Sequence, residues 1–211
     1  MVAKEVKTMS RLKELKSNYS GREFITLLPY DATELIDLES DDAIIPYWAD
    51  QWPSSEVALK FFSNRDLVKD GITLEIGSGV GGVSTKLSTL FNNYIASDYS
   101  EDAVNFCIKN RDINGVKLES ICFDWNHSPF NRSIDTIIGI DILYEREMIG
   151  AVVKFISETL KIGGKAYIFD PQRPFWGDFK ESLVKANLKI TESSILESKN
   201  GATIEIITVE T

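Results

Sequence analysis

From Gly71 onward, short apolar runs end one after another on glycine or aspartate, and each is followed by an apolar stripe at helical spacing. Ile72–Ile76 stops at Gly77, and Val83, Leu87, Leu90 and Phe91 then share one helix face. Tyr94–Ser97 stops at Asp98. Ser100 with Glu101 and Asp102 reads as the N-cap and acidic first turn of a helix with the stripe Val104, Cys107 and Ile108, ended by Gly115. Leu118–Phe123 stops at Asp124, and Ile134–Ile140 at Asp141. Ile149, Val152, Val153, Ile156 and Leu160 mark a helix closed by Gly163-Gly164. Lys165–Phe169 stops at Asp170, and Phe179, Leu183 and Val184 mark a further helix. Strand–helix alternation of this kind predicts an α/β protein with a parallel, doubly wound sheet. The pattern changes at the end. Leu188–Glu197 and Ala202–Val209 are both strand-like, and Lys199-Asn200-Gly201 between them is a hairpin turn signal. An antiparallel hairpin on one sheet edge is expected.

Ahead of Gly71, Arg22–Leu28 reads as a strand with Phe24, Thr26 and Leu28 on one face. Tyr30-Asp31 suggests a turn and Glu34–Leu38 a returning strand. An aromatic stretch, Pro46 to Pro53, precedes a helix with Val57, Ala58, Phe61 and Phe62 on one side, and Pro53 suits its first turn. Residues 1–18 carry Lys4, Lys7, Arg11, Lys13 and Lys16 among Glu5 and Glu14, with no apolar segment of the secretory kind. They read as a solvated, partly helical tail. The expected organisation is one domain over 1–211: a tail (1–18), a small β-hairpin and helix cap (19–70) and a core (71–211).

Composition narrows the function. The 211 residues are 43% hydrophobic, enough to bury a core without staples. No apolar run approaches the roughly 20 residues that span a bilayer. The net charge of −9 argues against nucleic acid, whose partners need a basic footprint. Cys107 and Cys122 lack metal-ligand spacing and His127 is the sole histidine, so a zinc site or histidine triad lacks parts. Two cysteines in such a length fit a reducing, cytoplasmic setting.

Gly77-Ser78-Gly79-Val80-Gly81-Gly82, between a strand and a helix, is where glycines let backbone approach a ligand. Two ligands compete. Gly77, Gly79 and Gly82 satisfy the dinucleotide pattern, with Asp98 about 20 residues on for a ribose hydroxyl. Glu75, however, would repel a pyrophosphate and suit a cationic ligand. Asp124-Trp125 offers an acceptor for an adenine amino group beside an aromatic ring. Asp141 could be a helix N-cap and Tyr144 a packed aromatic; Asp170 and Arg173 could form a local turn pair or a substrate contact.

Glu75-x-Gly77-x-Gly79-x-Gly81, Asp98, Asp124 and the terminal hairpin together resemble the class I, seven-β-strand methyltransferases. Pro46-Tyr47-Trp48-Ala49 with Gln51-Trp52-Pro53, and Asp141-Ile142-Leu143-Tyr144, resemble the entry and D-x-x-Y motifs of the family-16 protein-lysine methyltransferases. Asp170-Pro171-Gln172-Arg173-Pro174 is similar to D-P-G-R-P in the electron-transfer flavoprotein β-subunit branch, with Gln172 in place of glycine. The resemblance implies a Rossmann-like seven-stranded sheet and S-adenosylmethionine as cofactor. It implies cofactor contacts from Trp52, Glu75, Gly77, Ser78, Gly79, Gly81, Asp98, Tyr99, Asp124, Trp125 and Asp141. It implies Asp141 and Tyr144 as the catalytic pair lining a lysine channel. The partner expected is a lysine-bearing protein met by a monomer, with no metal, no nucleic acid and no membrane. Small-molecule or arginine methylation, a nicotinamide-dependent oxidoreductase and a non-catalytic binding module are the alternatives.

Overall fold

The computed structural model describes residues 12–32, 45–67 and 69–211. A two-stranded antiparallel hairpin, β1 (Leu12–Tyr19) and β2 (Arg22–Pro29), opens the chain. A helix, α1 (Pro53–Ser63), leads into a seven-stranded sheet. The following elements are β3 (Ile72–Ile76), α2 (Ser84–Leu87), β4 (Asn93–Asp98), α3 (Glu101–Asn114), β5 (Glu119–Cys122) and β6 (Ile134–Ile140). Then come α4 (Met148–Thr159), β7 (Leu160–Asp170), α5 (Trp176–Lys185), β8 (Lys189–Glu197) and β9 (Thr203–Glu210). The sheet order is β5-β4-β3-β6-β7-β9-β8. The first five are parallel, and β9 runs antiparallel between β7 and β8. Strand order reverses between β4–β3 and β6, so a crevice opens there beyond the strand ends, where ligands of such sheets bind.

The central strands β3, β6, β7 and β9 are largely buried on both faces, which is why they read as mostly apolar runs. Ile137, Ile168, Ile207 and Val209 pack with α4 and α5 on one face. Ile138, Ile140, Phe169, Ile204 and Ile206 meet Val57, Ala58, Phe61 and Phe62 of α1 on the other.

Two expectations are corrected. Leu12–Tyr19 is a strand, where a partly helical tail was expected. The hairpin therefore forms upstream of Arg22, through Ser20 (φ 50°) and Gly21 (φ 80°), whose paired positive φ values make the tight turn matching strand twist. The returning strand expected at Glu34–Leu38 lies outside the described residues. The helix expected from Val83 to Phe91 closes after one turn. Beyond it, the Ser88 and Thr89 hydroxyls bond the carbonyls of Thr85 (3.1 Å) and Lys86 (2.7 Å), and the backbone tightens to i→i+3 bonds. Phe24, Thr26 and Leu28 do lie buried on one face of β2.

Two asparagines one turn apart on α3 fasten the hairpin. Asn110 Oδ1 accepts from the Leu27 N–H (2.6 Å), and its Nδ2 donates to the carbonyls of Leu27 (3.0 Å) and Val80 (2.8 Å). Asn114 does the same for the N–H (2.9 Å) and C=O (2.7 Å) of Ile25. The amides thus serve β2 as a neighbouring strand would. Asn110 is fully buried, so its removal leaves backbone groups of Leu27 and Val80 unpaired. Asn110→Ala should lower stability by about 3 kcal/mol. A reduced urea midpoint at constant m-value is the check.

Candidate active site

The crevice at the strand-order reversal is walled by the glycine loop, the ends of β4 and β6, and residues 47–55. Trp52, Glu75, Gly77, Ser78, Gly79, Asp98, Tyr99, Trp125, Asp141 and Tyr144 all line it. Two further expected residues do not. Gly81 faces Cys107, whose Sγ lies 2.5 Å from where a Cβ would stand. Asp124 lines an adjoining groove that shares Tyr47, Tyr99, Trp125 and Tyr144 with the crevice.

Gly79 was expected to leave room for a ligand. Its φ of +53° suits glycine, but the space of its Cβ is taken by the Trp48 carbonyl oxygen, 2.7 Å away. That carbonyl accepts the Val80 N–H at 3.2 Å, so the segment ahead of α1 is laid directly on the loop. Asp98 is buried at the end of β4. It accepts the Gly79 N–H (2.9 Å) on Oδ2 and the Ser100 N–H (3.0 Å) on Oδ1. Burial raises its carboxyl above the ordinary range, against the pull of those N–H groups. Ser100 caps α3 as expected, its Oγ accepting the Ala103 N–H.

Glu75 lies under the loop, 2% exposed, with the Tyr94 hydroxyl donating to Oε2 at 2.8 Å. Burial pushes its carboxyl up to about 7. Asp141 follows β6 in a left-handed backbone conformation (φ 57°) and is 7% exposed. Its Oδ1 stands 2.9 Å from Arg173 Nη1 in an ion pair, while Oδ2 is buried with no hydrogen-bond partner among the described residues. The same Nη1 reaches Asp170 Oδ2 at 2.7 Å, and the Arg173 N–H donates to Asp170 Oδ1 at 2.8 Å. Gln172, where the resembling motif has glycine, takes the left-handed φ of 61°. The Tyr144 ring meets Tyr47 at 4.8 Å between centroids, and burial pushes its phenol up. Trp52 Nε1 donates to the Tyr47 carbonyl at 3.2 Å. Asp124 accepts from the Asn126 N–H (2.9 Å) and faces His127 at 3.4 Å, contacts that hold its carboxyl below the usual range.

Four carboxyl groups, of Asp50, Glu75, Asp98 and Asp141, thus face the crevice with one cation, Arg173, already paired. The buried Ser78 Oγ and Asp141 Oδ2 have no hydrogen-bond partner among the described residues. This donor set fits a cationic sulfonium nucleoside with ribose hydroxyls and repels a pyrophosphate. The helix after the glycine loop is a single turn, too short for the dipole that a dinucleotide's phosphates exploit. Among the described residues, no three His, Cys, Asp or Glu side chains are placed to hold a metal, and no helix is long and apolar enough to cross a membrane. Sequence reasoning missed Tyr47, Asp50 and Ser55 as lining residues; the aromatic run before Pro53 was their only signal.

Residues 74–168 match the family described as "Methyltransferase domain". Protein-lysine N-methyltransferase EFM3 of Chaetomium thermophilum is 29% identical over 127 residues, which cover 53% of this chain and 38% of that protein. Ribosomal protein L11 methyltransferase of Campylobacter hominis is 36% identical over 96 residues, covering 45% of this chain and 30% of that one. A solved S-adenosylmethionine-dependent methyltransferase of Aquifex aeolicus superposes with a TM-score of 0.58 at 18% identity, over 74% of this chain and 89% of that one. The chain spans less than half the length of the curated relatives it matches. Fold and sequence match together show the Rossmann-like, class I fold found in S-adenosylmethionine-dependent methyltransferases. They imply S-adenosylmethionine as the cofactor.

Glu75 gives this site a pH signature. Its folded pKa of about 7 exceeds its ordinary 4.5, so the folded state holds an extra proton between those values. That contribution to stability is present at low pH and is lost as pH rises toward 7. Relative to wild type, Glu75→Gln should gain on the order of 3 kcal/mol of ligand-free stability between pH 4.5 and 7.5. Urea unfolding across that window measures the difference. An unchanged difference would mean that Glu75 is ionised throughout.

Proposed function

We propose that this chain is an S-adenosylmethionine-dependent methyltransferase that acts on a lysine side chain of a protein. The observation that carries the reading is Asp141 at the crevice: a buried carboxylate with one oxygen free, beside the paired rings of Tyr47 and Tyr144. An anion next to aromatic faces is the environment that attracts an ammonium group. EFM3 and the L11 enzymes are named for methylating proteins, which supports a protein acceptor. The net charge of −9 favours a basic partner over nucleic acid. The D-x-x-Y and D-P-x-R-P stretches favour the family-16 lysine branch. Both cysteines are free, in keeping with a reducing, cytoplasmic setting.

On this reading, Asp98 holds ribose hydroxyls through lone pairs left by Gly79 and Ser100. Glu75 and Ser78 face the amino-acid end of the cofactor. Tyr99, Asp124 and Trp125 surround the base, and Trp52 closes the opening. Gly77, Gly79 and Gly81 shape the loop that carries these contacts. S-adenosylmethionine, when bound, supplies an electrophilic methyl group. The chain's part is to present a neutral amine in line with it, against an unperturbed lysine pKa of about 10.4. Asp141 Oδ2 accepts an N–H of the amine and orients its lone pair, and Tyr144 packs beside it. Positioning of this kind supplies much of such a rate.

Labelled methyl groups offered with the protein to a lysate, followed by peptide mapping, test the reading; label on lysine is the expected result. Calorimetry should show binding of S-adenosylhomocysteine and none of NAD. Asp98→Asn should weaken that binding about 10-fold, as expected for one hydrogen bond to a charged group. Asp141→Asn and Tyr144→Ala should lower methyl transfer by about 10²-fold or more while changing that affinity little. Equal losses of both would move the pair into the cofactor site.

A further inference from the structure

Asp141, Arg173 and Asp170 form a trio whose geometry is more than a local turn pair. Arg173 donates its main-chain N–H and an Nη1 hydrogen to the two oxygens of Asp170, and the same Nη1 stands 2.9 Å from Asp141 Oδ1 in an ion pair. Asp170 is 1% exposed and fully paired. Asp141 is left with one engaged oxygen and one buried oxygen, Oδ2, that nothing in the described residues satisfies. Two carboxylates against one guanidinium leave the trio one negative charge in excess.

We propose, building on the reading of this crevice as an amine-methylating site, that Arg173 sets its acceptor specificity by occupying Asp141 Oδ1, so that the site takes one primary ammonium or amine and disfavours a guanidinium. The reason is stereochemical. A guanidinium gains its advantage over an ammonium by donating two parallel N–H bonds to both oxygens of one carboxylate. With Oδ1 held by Arg173, that fork cannot be accommodated. A lysine ammonium is a point charge that needs only Oδ2, and its single charge completes the neutrality of the trio. The backbone holds the pair in place: Asp141 and Gln172, the neighbour of Arg173, both adopt left-handed φ values that a non-glycine residue keeps only when its surroundings enforce them.

The test uses side-chain mimics and requires no turnover. The whole protein, with and without saturating S-adenosylhomocysteine, is titrated with n-butylammonium and n-propylguanidinium by NMR. Wild type should bind the ammonium about 10-fold tighter. Arg173→Met opens Oδ1 and should bring the ratio near unity or invert it. Should that variant not fold, Arg173→Lys keeps a charge on Asp170 without the fork to span both carboxylates, and must also narrow the ratio. Equal affinities in wild type, no ammonium binding, or an unchanged ratio in a folded variant overturn the proposal. Failure of the enzyme reading is seen separately, as absent methyl labelling while the ratio stands; label on arginine would defeat the specificity.

Discussion

Asn110 stands where the hairpin, the glycine loop and α3 meet. Its amide bonds both backbone groups of Leu27 and the carbonyl of Val80. An exposed strand edge such as β2 presents unpaired N–H and C=O groups, and burying them unmatched would cost more than the apolar contact returns. The two asparagines remove that cost and let Phe24 and Leu28 reach the core. Because the same residue grips Val80, the shape of the loop and the docking of the hairpin are one problem. Cys107, filling the space beside Gly81 from the same helix, tightens the link. The crevice inherits its floor from this arrangement.

The glycines read differently once their surroundings are known. In a ligand loop, absent Cβ atoms are commonly taken as room for the ligand. Here those positions are filled by the chain: Ile142 at Gly77, the Trp48 carbonyl at Gly79, Cys107 at Gly81 and Gln51 at Gly82. Glycine is needed because three separate segments converge on one turn. What remains to face the crevice is backbone and the side chains of Ser78 and Asp98.

Much of this was legible in the sequence. The strands that lead to Asp98 and Asp141 are mostly apolar because both sheet faces are covered there, and each carboxylate follows at the strand end. The 199–201 turn announced the last two strands through Asn200-Gly201. The strand before Arg22 was missed because Leu12–Tyr19 is largely exposed and polar, so it carries no apolar alternation. The docking role of Asn110 and Asn114 was invisible for a related reason: polar residues on a helix give no sign of which backbone they will satisfy. Asp170 and Arg173 were visible as a pair three apart, but their reach to Asp141 depends on β6 and β7 being neighbours, a fact of topology.

The tryptophans are unevenly distributed. Of the four, Trp48, Trp52 and Trp125 line the crevice, while Trp176, the first residue of α5, is buried with its indole N–H on Glu205. Three of the four indole fluorophores therefore share the space a nucleoside would enter, and the fourth supplies a constant background. The protein carries an intrinsic optical reporter of occupancy, readable without a label.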